Sequence, residues 1–307
     1  MLRIGIDLGG TKIECVAIDA NARTLWRERV ATPKGEYDGT IEAIAGIVER
    51  CERELGVAAR VGLGMPGSVS PKTGLQRNSN STVLNGRPFV QDLAARLRRE
   101  LRASNDANCF ALSEAITGAA RGARVVFGVI AGTGVGGGVV IDGRAWDGAN
   151  GVGGEWGHCA MPAPAAWRRG RDMDARREPR PCYCGLIGCR EQYLSGPAVE
   201  RAHAERTGET WTLAEIAALA EAGNAGAAET IDRLVDDMAV SLAEIVNVLD
   251  PDCIVLGGGV SNVAALYALL PDRVRALAFT DSFSTPIRRA EHGDSSGVFG
   301  AAMLWPA

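Results

Sequence analysis

The sequence predicts an α/β protein in which one supersecondary unit is used twice, one copy in each of two domains. Three observations carry this. The chain has 307 residues, more than a single hydrophobic core usually serves. The stretch Gly5-Ile6 through Ile18-Asp19 aligns without a gap on Gly128-Val129 through Ile141-Asp142. Each copy reads as an apolar strand, a glycine turn, a second strand and an Ile-Asp turn. Elsewhere, apolar residues at helical spacing alternate with short continuous apolar runs of the kind that form buried strands.

Taken in order, Arg3 to Asp7 and Glu14 to Ile18 flank a tight Gly9-Gly10 turn, and Thr24 to Val30 follows a turn at Asn21. Ile41, Ile44, Ile47 and Val48 mark a helix, and the buried strand Val61 to Gly64 runs into the turn Met65-Pro66-Gly67. A basic helix is expected over Asp92 to Leu101, then polar residues to Asn108, then the helical Ala111-Leu112-Ser113-Glu114. Glu229 to Leu249 carries one apolar stripe and ends at Asp250-Pro251. Cys253 to Leu256 reads as a buried strand running into Gly257-Gly258-Gly259. The segment Ala160 to Pro181, rich in proline and arginine and without period, reads as an exposed excursion. The first domain is expected to span 1–117 and to regain a C-terminal helix in 293–307. The second is expected to span 118–292, with the two facing each other across a cleft.

Bulk properties narrow the function. Apolar residues make up 46% and charged residues 23%, as in an ordinary globular protein. A net charge of -4, from 33 Lys+Arg against 37 Asp+Glu, leaves no basic footprint for nucleic acid or an anionic membrane. Apolar runs are broken before they reach bilayer length, and Met1 is followed at once by a strand rather than a leader. A cytoplasmic location is therefore expected, with the eight cysteines reduced. Cys15, Cys51, Cys109 and Cys253 sit in apolar surroundings and are expected in the core.

Three glycine turns follow strands: Asp7-Leu8-Gly9-Gly10-Thr11-Lys12, Gly132-Thr133-Gly134-Val135-Gly136-Gly137-Gly138 and Gly257-Gly258-Gly259-Val260. Any one of them could be an ordinary hairpin turn. Phosphates, however, need backbone N–H donors at close approach, which a Cβ would block. Thr11 and Thr133 add hydroxyls, Lys12 adds a cation, and Asp7 is suited to hold magnesium through water. GxxxxGK[ST] is absent, which excludes a P-loop, and no clear strand–GxGxxG–helix unit appears. Three such loops, two at matching places of a repeat, favour a bound nucleotide. The polar Ser104-Asn105-Asp106-Ala107-Asn108 junction could simply cap the following helix. Alternatively, Asp106 is a carboxylate fixed and kept ionised at a helix N-terminus, fit to accept a hydroxyl proton during phosphoryl transfer.

Cys182-Tyr183-Cys184-Gly185-Leu186-Ile187-Gly188-Cys189 places three thiols within eight residues, on a glycine-bearing loop that can fold back. A tetrahedral zinc needs a fourth ligand. His158, in Gly154-Glu155-Trp156-Gly157-His158, is the candidate, with Cys159 competing. Such a closed site would be structural. His203 and His292 lack comparable company and read as surface or packing residues.

Taken together, these motifs resemble the ROK family of bacterial sugar kinases and related repressors, over essentially the whole chain. The pairing of Gly154–His158 with Cys182-x-Cys184-x4-Cys189-x-Glu191 is the most specific part. The segments Asn78–Thr82, Asn105–Asn108, Asp250–Asn262 and His292–Gly297 are most similar to bacterial fructokinase of the manno(fructo)kinase type. The resemblance implies a duplicated actin/hexokinase-like ATPase fold using ATP and Mg2+, a structural Zn2+ on His158, Cys182, Cys184 and Cys189, and Asp106 as catalytic base. It also implies sugar contacts from Asn80, Asn105, Asp106, Glu155, His158 and Glu191, with a second His158 nitrogen turned to the sugar. The small-molecule substrate it implies is a hexose, D-fructose first, with glucose, mannose or an N-acetylhexosamine as alternatives. The base-rate expectation for assembly is a homodimer. A repressor of the family would carry a winged helix-turn-helix ahead of the Asp7 loop, and none is expected here. Val83 stands where relatives often carry tryptophan, and the segment before Cys182 departs from the family pattern.

Overall fold

The computed structural model describes residues 1–171, 177–293 and 296–306. In chain order the elements are β1 (Arg3–Leu8), β2 (Lys12–Ile18), β3 (Thr24–Ala31), α1 (Tyr37–Leu55), β4 (Arg60–Met65), β5 (Ser68–Val69), β6 (Gln76–Arg77), α2 (Phe89–Leu97), β7 (Leu101–Asn105) and α3 (Asp106–Ile116). There follow β8 (Val125–Ala131), β9 (Val135–Ile141), β10 (Arg144–Ala145), α4 (Ala165–Arg168), α5 (Glu191–Leu194), α6 (Gly196–Thr207), α7 (Leu213–Glu221) and α8 (Ala225–Leu249). The chain closes with β11 (Cys253–Gly257), α9 (Ala264–Arg275), β12 (Ile287–Arg289) and α10 (Ser296–Met303).

Two five-stranded sheets share one plan, β3-β2-β1-β4-β7 and β10-β9-β8-β11-β12. In the first, β2 pairs antiparallel with β1 and β3, while β1, β4 and β7 run parallel. In the second, β9 and β10 are antiparallel, while β8, β11 and β12 run parallel. The repeat read from Gly5–Ile18 and Gly128–Ile141 is thus the visible part of a duplicated sheet. The chain divides into two compact units. One holds 1–122, 138–154 and the C-terminal segment from Glu291; the other holds 123–137 and 155–290.

In the first unit, β1 alternation sends Ile4, Ile6 and Leu8 to one face, where α1 buries Ile44, Ile47, Val48 and Cys51 against them. Burying each such isoleucine contributes about 1.5–3 kcal/mol. Gly5 and Gly62 turn to the other face and let α10 lie directly on the strands. A Cβ on Gly62 would stand 1.9 Å from the Ala301 carbonyl oxygen. The buried Glu114 carboxylate fixes the entry to α10, accepting from the N–H groups of Ala119, Glu291 and His292 and from the Ser296 hydroxyl at 2.9–3.0 Å. Four donors on one carboxylate replace the water it gave up.

In the second unit α8 is the longest helix described. The Asn224 side chain caps it through Ala227 N, and Asp250, left-handed at φ 47°, ends it. Its start lies four residues earlier than the apolar stripe indicates, because the cap at Asn224 and not the stripe sets the first turn. The expected Asp92–Leu101 helix is corrected: α2 ends at Leu97, Arg98 is left-handed, and Leu101 opens β7 beside β4. Arg99 draws the chain off the helix by donating to the Glu52 carboxylate and the Ala59 carbonyl. The proline- and arginine-rich segment carries the short α4, with Ala165 buried; its residues 172–176 lie outside the described residues, as do Asp294 and Ser295 of the His292–Gly297 motif. Cys15, Cys51, Cys109 and Cys253 are buried free thiols. Among the described residues no helix is long and apolar enough to cross a membrane.

Candidate active site

In the first unit the β1–β2 turn closes through Gly9 N donating to Lys12 O at 3.0 Å, and the Thr32 hydroxyl donates to Gly9 O at 2.7 Å. Asp7 is half-buried near the end of β1, just before the buried Leu8. Burial, followed by the negative charges of Asp106 and Glu14, pushes its carboxyl up to about 7. Carboxylates gathered this way suit a divalent cation, which would offset their repulsion. Asp106 begins α3 and its side chain is exposed. The N-cap role falls to Asn105, whose Oδ1 accepts from Ala107 N at 2.8 Å while its Nδ2 donates to Gly67 O at 3.2 Å. Asp106 also accepts from Ala107 N, so the elbow holds Asp106 in place without needing it as the cap. Asn80 is exposed on a turn clasped by Asn85, which accepts from Ser79 N and donates to Ser79 O.

The Asp7 shift gives a pH prediction. A carboxyl raised in the folded state binds its proton more tightly there, so its contribution is fully present below about pH 4 and lost as pH rises to about 7. Asp7→Asn is therefore expected to raise the Tm of the ligand-free protein by roughly 2–5 °C at pH 8 and to leave it unchanged at pH 4. Thermal melts of both proteins across that range check the sign.

The second unit holds the other two glycine turns. Gly132 N donates to Gly134 O at 2.9 Å and Gly132 O accepts from Gly196 N at 2.8 Å, which anchors the turn to the start of α6. An added Cβ on Gly132 would lie 3.7 Å from Gly259 N, so the Gly132–Gly137 and Gly257–Gly259 turns are neighbours. Thr133 is exposed at the tip. The Asp7–Lys12 turn belongs instead to the unit that carries Asp106.

Each residue of Glu155-Trp156-Gly157-His158 has a physical reason. Trp156 is buried edge-on against Phe127 and its Nε1 donates to Gly136 O at 2.7 Å. Gly157 passes so close to β9 that a Cβ would sit 1.9 Å from Val135 O. Those two residues present Glu155 and His158 on either side. Glu191 Oε2 accepts from Val135 N at 3.1 Å, which ties another expected sugar contact to the glycine turn. Gly157→Ala must push β9 away; it is expected to lower Tm by roughly 5 °C and to reduce turnover, as a melt and an activity assay would record.

The thiol loop folds back as its glycines allow. His158, Cys182, Cys184 and Cys189 bring one ligand atom each within 4.8 Å of all the others. Cys184 Sγ lies 3.6 Å from Cys189 Sγ, and His158 Nδ1 lies 3.7 Å from Cys182 Sγ. These separations match the ~3.8 Å edge of a tetrahedron with bonds of about 2.3 Å. Cys159 is exposed and outside the cluster. Hydrogen bonding to Leu186 N holds the Cys184 thiol below its usual range, toward the thiolate a metal needs. His158 Nε2, the nitrogen expected to face a sugar, meets the Tyr183 hydroxyl at 3.0 Å.

One positioning residue carried no sequence signal. Asp147 Oδ1 accepts from Ser104 Oγ at 2.6 Å and from Asn108 Nδ2 at 2.9 Å, bracketing the Asn105-Asp106 elbow. Its carbonyl accepts from Gly153 N at 2.8 Å. In sequence, Asp147-Gly148 reads only as a turn.

The ROK family model matches residues 3–307. An N-acetyl-D-glucosamine kinase of Photobacterium profundum is 41% identical, with 98% of this chain and 98% of that protein covered. The crystal structure of a ROK hexokinase from Thermus thermophilus superposes with a TM-score of 0.85 at 33% identity, covering 99% of this chain and 97% of the other. A ROK family glucokinase from Streptomyces griseus, solved in complex with glucose and AMPPNP, gives a TM-score of 0.73 at 27% identity, with 99% of each chain covered.

Proposed function

This chain belongs to the ROK family, and on that premise we propose that it phosphorylates N-acetyl-D-glucosamine at its primary hydroxyl. The protein is an ATP-dependent sugar kinase with the actin/hexokinase-like ATPase fold. The relatives matched over nearly their whole length are named N-acetyl-D-glucosamine kinase, which favours the N-acetylhexosamine alternative over the fructose expected from the sequence. Fructose is therefore replaced as the first substrate.

The observation that most supports the mechanism is the place of Asp106, an exposed carboxylate on a rigid elbow whose charge is felt by Asp7 of the first glycine turn. Asp106 takes the proton from the sugar hydroxyl as its oxygen bonds to the terminal phosphorus of ATP. The bond from that phosphorus to the bridging oxygen breaks, and ADP carries away the electron pair. Asp7 is the residue to hold magnesium, which when bound neutralises phosphate charge. The backbone N–H groups of the three glycine turns, with Thr11, Lys12 and Thr133, are the proposed phosphate donors. Asn80 and Asn105 on the first unit, and Glu155, His158 and Glu191 on the second, are the proposed sugar partners.

His158, Cys182, Cys184 and Cys189 are proposed to hold a structural zinc, supported by their donor chemistry and spacing. A homodimer is the proposed assembly. Val248 and Phe279 of the second unit are 89% and 97% exposed, large apolar side chains of the kind such an interface would cover.

Initial rates of ADP release across N-acetylglucosamine, N-acetylmannosamine, glucose, mannose and fructose test the substrate. N-acetylglucosamine is expected to exceed fructose in kcat/KM by roughly a hundredfold. Equal or faster turnover of fructose would reverse the assignment.

A further inference from the structure

His158 has two ring nitrogens, and the protein itself already uses both. Nδ1 points into the thiol cluster, 3.7 Å from Cys182 Sγ. Nε2, the nitrogen left for a sugar, lies 3.0 Å from the Tyr183 hydroxyl. The two rings also meet edge-on, with centroids 5.2 Å apart and planes at 86°. Tyr183 stands between two members of the cluster, and its main chain is held on both sides. Cys182 N donates to Leu186 O at 2.8 Å, and Gly185 N donates to Cys182 O at 3.0 Å. The side chain is freer: Tyr183 is 79% exposed, so little packing opposes its turning away from His158. The carboxylates of Glu191 and Glu155 are near enough for their charge to be felt at the phenol. The phenol therefore stands among the three residues that the second unit is proposed to offer the sugar.

We propose that the Tyr183 hydroxyl is a built-in competitor for the sugar. It holds the hydrogen bond of His158 Nε2 in the ligand-free protein and leaves when the sugar binds. The inference rests on the reading of His158 as a sugar partner and deepens it. An imidazole nitrogen has either one proton or one lone pair in the ring plane, so it makes one strong hydrogen bond. A sugar hydroxyl and the phenol cannot both take it. Binding therefore has to break the bond between His158 and Tyr183. The apparent sugar affinity is lowered to the fraction of molecules in which the nitrogen is free. A hydrogen bond of ordinary net strength makes that factor roughly 2–10. Tyr183 thus sets how tightly the sugar is held without taking part in proton or phosphoryl transfer.

Tyr183→Phe removes the hydroxyl and keeps the ring on His158, so it isolates the competition. Titration calorimetry with N-acetyl-D-glucosamine, without ATP, compares this variant with the wild-type protein once elemental analysis shows equal zinc content. The variant is expected to bind the sugar roughly 2–10-fold more tightly, a gain that a damaged loop would not give. Equal or weaker binding overturns the proposal. A crystal structure of the wild-type protein with the sugar decides the matter even if the variant does not fold. A sugar oxygen about 3 Å from His158 Nε2, with the phenol turned away, is the arrangement expected. A phenol still bonded to Nε2 beside the bound sugar overturns it. Wild-type protein that binds glucose but not N-acetylglucosamine would bring down the substrate reading alone. The same comparison made with glucose would then still decide the role of Tyr183.

Discussion

Asp106→Ala is expected to lower kcat by roughly a thousandfold and to change the sugar KM by less than about fivefold. The asymmetry follows from geometry. Asn105 supplies the cap of α3, and Asp147 brackets the elbow through Ser104 and Asn108, so removing the Asp106 carboxylate leaves the backbone where it was. What would disappear is the proposed acceptor for the hydroxyl proton, which matters as the new bond to phosphorus forms. Asp106→Asn keeps the shape and should fall nearly as far, because an amide oxygen is far too weak a base. Steady-state kinetics with unchanged thermal melts identify a chemical effect rather than a collapsed fold.

Loss of the proposed zinc is expected to be the next most severe change. Elemental analysis of the purified protein is expected to give close to one zinc per chain, and Cys184→Ser to reduce this well below one. The two strands of loop joined by the cluster carry Glu155 and His158 on one side and Glu191 just beyond Cys189 on the other. Both therefore lose their anchor. Turnover of Cys184→Ser is expected to fall roughly 10–100-fold, and Tm to fall with it. Chelation of the wild-type protein should do the same, with recovery on adding zinc. Fully active protein free of zinc would remove the metal from the account.

Much of this was legible because its physical cause is local. The three glycine turns could be read because each glycine run directly follows a buried apolar strand. The Gly5–Ile18 repeat announced the duplicated sheet because strand, turn and strand are contiguous. Gly154–His158 and Cys182–Glu191 stood out because clustered cysteines, a nearby histidine and close backbone contacts tolerate few residue types. What escaped depends on partners distant in sequence. The strand β7 was taken for the end of a basic helix, since Arg98 and Arg99 look helical until Glu52 and Ala59 draw the chain away. The short edge strands β10 and β12 carry no alternation to read. Asp147 gains meaning only when the fold sets it beside Ser104 and Asn108. The choice of sugar is not legible either, because it depends on the exact placement of buried polar partners, which a sequence does not give.

The central claim is phosphoryl transfer from ATP to a sugar hydroxyl by this chain. Phosphorus-31 NMR of the protein with Mg2+, ATP and N-acetyl-D-glucosamine tests it most directly. A sugar 6-phosphate resonance growing in step with ADP, and absent with Asp106→Ala, is the result expected. ADP accompanied only by inorganic phosphate, at a rate indifferent to added sugar, would contradict it.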